Sequence, residues 1–238
     1  MNTDNISIIG ETIDYGPYGW IDNFDLDWTP NTTDANGKRY RFGAQAEIAQ
    51  WNLFQLANAI FPLINDAAPL EKALNNFSKN YHQQWHNMMA TKLGIESSLT
   101  QEPNKVERNL FIDLESLLMM IETDMTIFYR RLADLPEDNS LWLTHLMGCF
   151  YNESEITIEY KQALMSWLER YIKLRDSVGK SRTQISMAMN KVNPKYVLRN
   201  YLAQQAIELA QQQDYSLLKQ LQKVLENPYD EQPQYESL

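Results

Sequence analysis

Apolar and polar residues alternate over residues 5–8 and again over 12–15. Ile6, Ile8, Ile13 and Tyr15 fall on one side of that alternation, and Asn5, Ser7, Thr12 and Asp14 on the other. Gly10-Glu11 separates the two runs, and a two-residue loop with Gly first suits a type II′ turn. The pattern therefore predicts a β-hairpin with one face ready for burial and one polar face. Residues 16–42 carry Gly, Pro, Asn and Asp at close intervals and read as a structured loop. Its aromatics, Tyr18, Trp20, Phe24 and Trp28, suit core packing better than an adenine pocket.

From Ala44 the period changes. Ile48, Trp51, Leu53, Leu56, Ile60 and Leu63 recur at helical turns, with Pro62 near the end. A second helix is expected from Pro69 to Leu93, closed by Gly94. Residues 104–133 continue the helical pattern with a break at Glu122-Thr123-Asp124, where an N-cap residue opens a new run. Further helices fit 140–150, 155–176, 181–190, 195–212 and 214–226. Asn193-Pro194 is a natural helix start, because Asn caps and Pro has no amide hydrogen to satisfy. The chain thus divides into residues 1–43, a hairpin and loop; 44–227, a helical body; and 228–238, a frayed tail marked by Pro228 and Pro233. No fixed-period repeat is present.

The polar face of the hairpin carries the candidate chemistry. Asn5 lies two positions from the residue opposite Asp14, about 7 Å at strand spacing. An amide oxygen and a carboxylate at that separation can share one cation. Magnesium suits them, since it takes hard oxygen ligands and only one or two protein groups beside phosphates. Asp4, turned away from that face, is free to orient or deprotonate a hydroxyl. One base plus an Asn/Asp metal pair is how kinases divide the work of phosphate chemistry, although kinases space these residues differently. On spacing alone a surface hairpin with scattered polar groups is the commoner meaning of such a pattern.

The segments that carry more information are Met1-Asn-Thr-Asp-Asn-Ile-Ser-Ile8, Thr12-Ile-Asp-Tyr-Gly-Pro-Tyr-Gly19, Ile21-Asp22, Phe24-Asp25, Gly37 to Phe42, Trp51-Asn-Leu53 and Asn193-Pro-Lys-Tyr-Val-Leu-Arg-Asn-Tyr-Leu-Ala-Gln204. In this order they closely resemble the selenoprotein O (SelO, YdiU) family of protein adenylyltransferases. The resemblance implies a mainly α fold: a protein-kinase-like C-terminal lobe fragment, with the hairpin carrying the metal site ahead of a multi-helix body. It implies transfer of AMP from ATP to Ser, Thr or Tyr hydroxyls of proteins, with release of pyrophosphate. Carried over by position, Asp4 is the catalytic base. Asn5 and Asp14 are ligands of Mg2+ or Mn2+, and Asp14 also lies near the nucleotide. The resemblance also suggests that Tyr196 and Arg199 pack against the hairpin, although a well-capped core helix is the favoured reading of the aromatic positions there.

The departures are as specific. The family's long N-terminal half, with its glycine-rich segment, ATP-contacting lysine and phosphate-binding arginines, has no counterpart here, and Gly16-Pro-Tyr-Gly19 is a turn rather than a phosphate cradle. The chain resembles the C-terminal half, shortened at both ends, and is expected to be inactive alone. The missing half is then a candidate partner. A non-catalytic helical remnant or binding module of a split enzyme is the alternative, and γ-phosphoryl transfer by the same residues is a third reading.

Composition narrows the setting. A net charge of −10 argues against nucleic acid or an anionic membrane as partner. The single cysteine, Cys149, excludes an internal disulfide and fits a reducing compartment. No signal peptide and no membrane-length apolar run is present, so a cytoplasmic location is expected. The basic residues Lys173, Arg175, Lys180, Arg182, Lys191, Lys195 and Arg199 read first as a solvated helix face and second as a phosphate-facing patch. His82 and His86 stand one helical turn apart, but Gln83 cannot serve as a metalloprotease base and no third zinc ligand is evident. Cys149 follows Gly148 in an apolar run and reads as a buried thiol rather than a nucleophile.

Overall fold

The computed structural model describes residues 2–10, 19–30, 37–96, 104–177, 179–236 and 238, with the backbone but not the side chain of Asn5. Among these residues helices dominate, and the only β pairings are two isolated bridges, Asn23 with Asp124 and Thr123 with Phe150. No helix among them is long and apolar enough to cross a membrane. Contacts divide the chain into one unit of residues 1–19 and 25–86 and a second of residues 20–24 and 87–238.

The hairpin expectation fails on the described residues. Thr3–Asn5 forms a 3-10 turn in place of strand, and Ile8-Ile9 lies in a further turn. Gly10 does take the positive φ, +80°, that the loop required, but no ladder accompanies it; residues 11–18, the second arm, lie outside the described residues. The physical reason lies in the apolar face: Ile6 and Ile8 are 40% and 81% exposed. A two-stranded ribbon with nothing to cover its apolar side is marginal in water. The kinase-like lobe built around that hairpin is withdrawn with it, and the mainly helical expectation for the body stands.

In the first unit, α1 (Gln45–Ile64) follows a loop that turns back on itself. Phe42 and Gly43 donate their amides to Trp28 and Leu26 carbonyls at 2.8 Å each. A side chain at Gly43 would meet Leu26 at 3.0 Å. The Gln45 amide donates to the Arg41 carbonyl at 2.7 Å and closes the entry to α1. Pro62 is tolerated in the last turn, and Asn65 ends the helix in the left-handed region at φ 54°. The unit boundary falls within α2 (Ala68–Lys92). Few side chains of this unit are buried.

The second unit holds the core. It contains α3 (Lys105–Met120), α4 (Met125–Ala133), α5 (Trp142–Leu146), α6 (Ile158–Asp176), α7 (Arg182–Asn190), α8 (Asn200–Gln211) and α9 (Ser216–Leu225). Asn104, Asp124, Thr157 and Ser181 accept amide hydrogens at the N-termini of α3, α4, α6 and α7, and Ser181 with Gln184 forms a full capping box. Gly94, at φ +64°, ends α2 where a Cβ would lie 2.6 Å from Ile185. α3 packs on α6 through Phe111, Leu114, Trp167 and Leu168, all essentially inaccessible. The Trp167 indole donates to the Leu110 carbonyl at 2.9 Å and stacks on Tyr171 at 5.2 Å. The Tyr171 hydroxyl in turn donates to the Leu93 carbonyl at 3.0 Å.

Two helix expectations are corrected. Residues 140–150 are not one helix: 3-10 turns at Asn139–Leu141 and Met147–Cys149 flank the short α5. Asn193-Pro194 does not start α8, which begins at Asn200. Tertiary partners override the local signal. The Asn193 amide donates to the Lys92 carbonyl at 2.8 Å, and Lys195 and Tyr196 donate backbone amides to the Pro228 carbonyl at 2.8 and 3.1 Å. Residues 227–238 carry contacts of their own: Tyr196 donates to the Gln232 carbonyl at 3.0 Å, and Lys195 pairs with Glu231 and Glu236.

Candidate functional site

Asp4 sits in the 3-10 turn Thr3–Asn5 and is exposed to solvent. The turn places the Asn5 backbone beside it. The Asn5 side chain and all of Asp14 lie outside the described residues, so the expected metal pair has no geometry here. Among the described residues no three His, Cys, Asp or Glu side chains gather into a metal cluster. The Asn5 and Asp14 donor set is two hard oxygens, which by chemistry fits Mg2+ or Mn2+ and not a soft ion. Ser7 steadies the next turn by accepting the Ile9 amide at 3.3 Å.

A second polar constellation, within the helical unit, went unseen in the sequence. The Asn200 side chain clamps the Trp20 backbone from both sides, accepting its amide at 3.1 Å and donating to its carbonyl at 2.7 Å. It also donates to the Asp22 carboxylate at 2.7 Å. Phe24 donates its amide to the Thr123 carbonyl at 2.9 Å, which ties residues 20–24 to the entrance of α4. Asp124 has three duties there. It caps α4 by accepting the Ile127 amide at 2.9 Å, accepts the Tyr151 hydroxyl at 3.1 Å, and pairs with Arg199. With both oxygens engaged, Asp124 is a structural carboxylate and not a free base.

The electrostatics agree. Burial works against the Arg199 charge, yet the hydrogen bond and charge of Asp124 outweigh it and hold the guanidinium above its ordinary pKa. Burial first, then the Asp124 carboxylate, raise the Tyr151 phenol, so it stays a donor. A cavity of about 330 Å³ opens beside this cluster, with Asp124, Tyr151, Lys195 and Arg199 on its polar side and Leu202 and Leu221 on its apolar side. Asp124, Asp22 and Arg199 each carried a local signal: a cap, an acidic loop, a basic run. Nothing in the sequence could join Asn200 to Trp20, because their bond spans 180 positions.

The remaining candidates resolve into structural roles. Arg175 is buried, lies over Tyr171 and pairs with Asp176. Lys180 pairs with Glu96, Arg182 with Glu137 at 3.6 Å, and Lys195 with Glu231 and Glu236. These separate ion pairs do not make one phosphate-facing patch. His86 is buried and His82 exposed against the Tyr81 ring, so the two do not share an environment. Burial pushes the Cys149 thiol up to about 12, with Arg131 opposing and Asp124 adding to the shift. A thiol so protonated is no nucleophile near neutrality.

Comparison with known proteins bears on the whole chain. The family described as protein adenylyltransferase SelO matches residues 1–226. A protein nucleotidyltransferase YdiU of Rhodopirellula baltica is 48% identical over 98% of this chain and 45% of its own length. One of Flavobacterium johnsoniae is 45% identical over 99% of this chain and 45% of its own. One of Nitrosospira multiformis is 43% identical over all of this chain and 46% of its own. The chain therefore spans a little under half the length of these relatives.

Proposed function

The chain belongs to the protein adenylyltransferase SelO family, and from that premise we propose that it carries the base and metal-ligand motif of an enzyme that transfers AMP from ATP to Ser, Thr or Tyr hydroxyls of proteins. The observation that supports this most is the family match across residues 1–226, which takes in Asp4, Asn5 and Asp14 together. Relatives named protein nucleotidyltransferases agree with the reaction class.

Asp4 acts as the base. Its carboxylate accepts the hydroxyl proton while the hydroxyl oxygen bonds to the α-phosphorus. The bond from the α-phosphorus to the bridging oxygen breaks, and pyrophosphate leaves with that electron pair. Asn5 and Asp14 would hold Mg2+ or Mn2+, and Asp14 would also border the nucleotide. The ion would supply charge neutralisation on the phosphates. A cytoplasmic setting fits the reaction, since ATP and reduced thiols are plentiful there.

The chain's own sequence has no glycine-rich phosphate loop, and two oxygen ligands do not replace one. Residues 1–238 alone are therefore proposed to bind ATP negligibly and to need the rest of a family-length polypeptide for activity. The test joins this chain to the portion of the R. baltica relative that it does not match, in that relative's order. Label from α-labelled ATP should reach protein, and Asp4→Ala should abolish transfer while nucleotide stays bound. Asp14→Ala should weaken nucleotide binding itself. Transfer of γ-label without α-label would replace AMP transfer with phosphoryl transfer. Tight magnesium-ATP binding by residues 1–238 alone, lost in Asp14→Ala, would show the chain self-sufficient.

A further inference from the structure

α1 has an unusual composition for an exposed helix. Glu47 is its only charged residue among twenty. Along one face, at steps of three and four, stand Trp51, Phe54, Asn58 and Phe61. Three of these four are aromatic, and they are 41%, 50% and 41% exposed for Trp51, Phe54 and Phe61. A concavity of about 330 Å³ opens at the Trp51–Phe54 end of this face, where Glu47, Gln50, Trp51 and Phe54 of α1 meet Leu74 of α2. Arg39 lies 4.2 Å over the Trp51 ring, whereas Phe54, beside the pocket, and Phe61 present open aromatic surface, the makings of an interface centre. A helix this apolar is ordinarily covered.

The occupant can be narrowed. A membrane-surface helix needs basic residues on its polar face, and α1 has none. The relatives leave more than half of their length outside the match, and that material must pack on something. We propose that the Trp51–Phe54–Phe61 face of α1 is the docking surface for the portion of a SelO-type polypeptide that this chain does not match. This rests on the family membership and on the need for a further portion argued above, and it assigns that portion its seat. Phe54 and Phe61 are the central anchors, and the pocket at Leu74 receives an apolar side chain of the partner.

The test does not read AMP transfer, so failure of the adenylyltransferase reading leaves it intact. Hydroxyl-radical oxidation is compared between residues 1–238 alone and the same chain joined to the unmatched portion of the R. baltica relative. Phe54 and Phe61 should oxidise several-fold more slowly in the joined protein, with Tyr215, exposed in the helical unit, as internal reference. A second arm co-expresses the two pieces as separate chains, with the relative's own matched stretch as positive control. Phe54→Glu/Phe61→Glu should lose capture of the partner piece without lowering the melting temperature of residues 1–238. Equal oxidation in the joined and isolated chains would overturn the proposal, as would capture that survives the double substitution. So would protection of Phe54 and Phe61 that rises with the concentration of residues 1–238 alone, because the face would then belong to a second copy.

Discussion

Trp167 and Trp51 both lie in long helices, yet their surroundings are opposite. Trp167 on α6 is wholly inaccessible, stacked on Tyr171 and hydrogen-bonded to the Leu110 carbonyl. Trp51 on α1 is 41% exposed, with the Arg39 guanidinium 4.2 Å above its ring as its chief polar contact. The same contrast runs through the two units. The helical unit closes its apolar residues into a core and caps the N-termini of α3, α4, α6 and α7 with side chains. The first unit leaves Phe54, Phe61 and Leu63 in water. Apolar content is therefore no measure of self-sufficiency; what differs is whether a second layer is present to receive it.

That contrast breaks or sharpens under substitution. Trp167→Ala should cost about 4 kcal/mol, from lost burial and the cavity left behind, seen as a much lower urea midpoint. An effect no larger than that of Trp51→Ala would abolish the distinction. Asp124→Ala should come next, at about 2 kcal/mol, because it removes the α4 cap and leaves the half-buried Arg199 without its carboxylate. Asp124→Asn keeps the α4 cap and should lose distinctly less. Ser181→Ala removes one half of the α7 capping box and should cost about 1 kcal/mol. Trp51→Ala should fall below about 1 kcal/mol, the range of an exposed cation–π contact, and leave the melting of the helical unit unchanged.

The smallest effect concerns the C-terminal residues and follows pH. The hydrogen bond from Lys195 holds the Glu231 carboxyl below its ordinary 4.5, with Arg130 assisting. A depressed carboxylate lends stability above 4.5 that is lost as pH falls through the lowered folded value. Hydrogen-exchange protection of the Tyr235 amide, bonded to the Gln232 carbonyl at 2.9 Å, should therefore decline in that acid range. Glu231→Gln should show the reduced protection already at neutral pH. An unchanged profile in that variant would mean that Glu231 plays no part in holding these residues.

The helices were legible because their information is local. Period, caps at Asn104, Asp124, Thr157 and Ser181, and Gly94 as a stop are all written within a turn or two of the element they govern. The start of α8 was misplaced because Asn193-Pro194 offers a local cap that distant partners, Lys92 and Pro228, had already claimed. The hairpin was misjudged for the converse reason: alternation supplies an apolar face but not the surface to bury it.

The sequence by itself determined the helical body, the family, and Asp4, Asn5 and Asp14 as the residues that resemblance assigns to base and metal. Tertiary structure alone decided that Asp124 is a structural carboxylate with both oxygens engaged, that Arg175, Lys180, Arg182, Lys195 and Arg199 of the basic run each meet a carboxylate, and that Asn200 holds Trp20 and Asp22. Periodicity and capping are properties of neighbours along the chain, so sequence carries them. Pairing across 180 positions and the exposure of a helix face depend on which surfaces meet, and only the folded chain settles that.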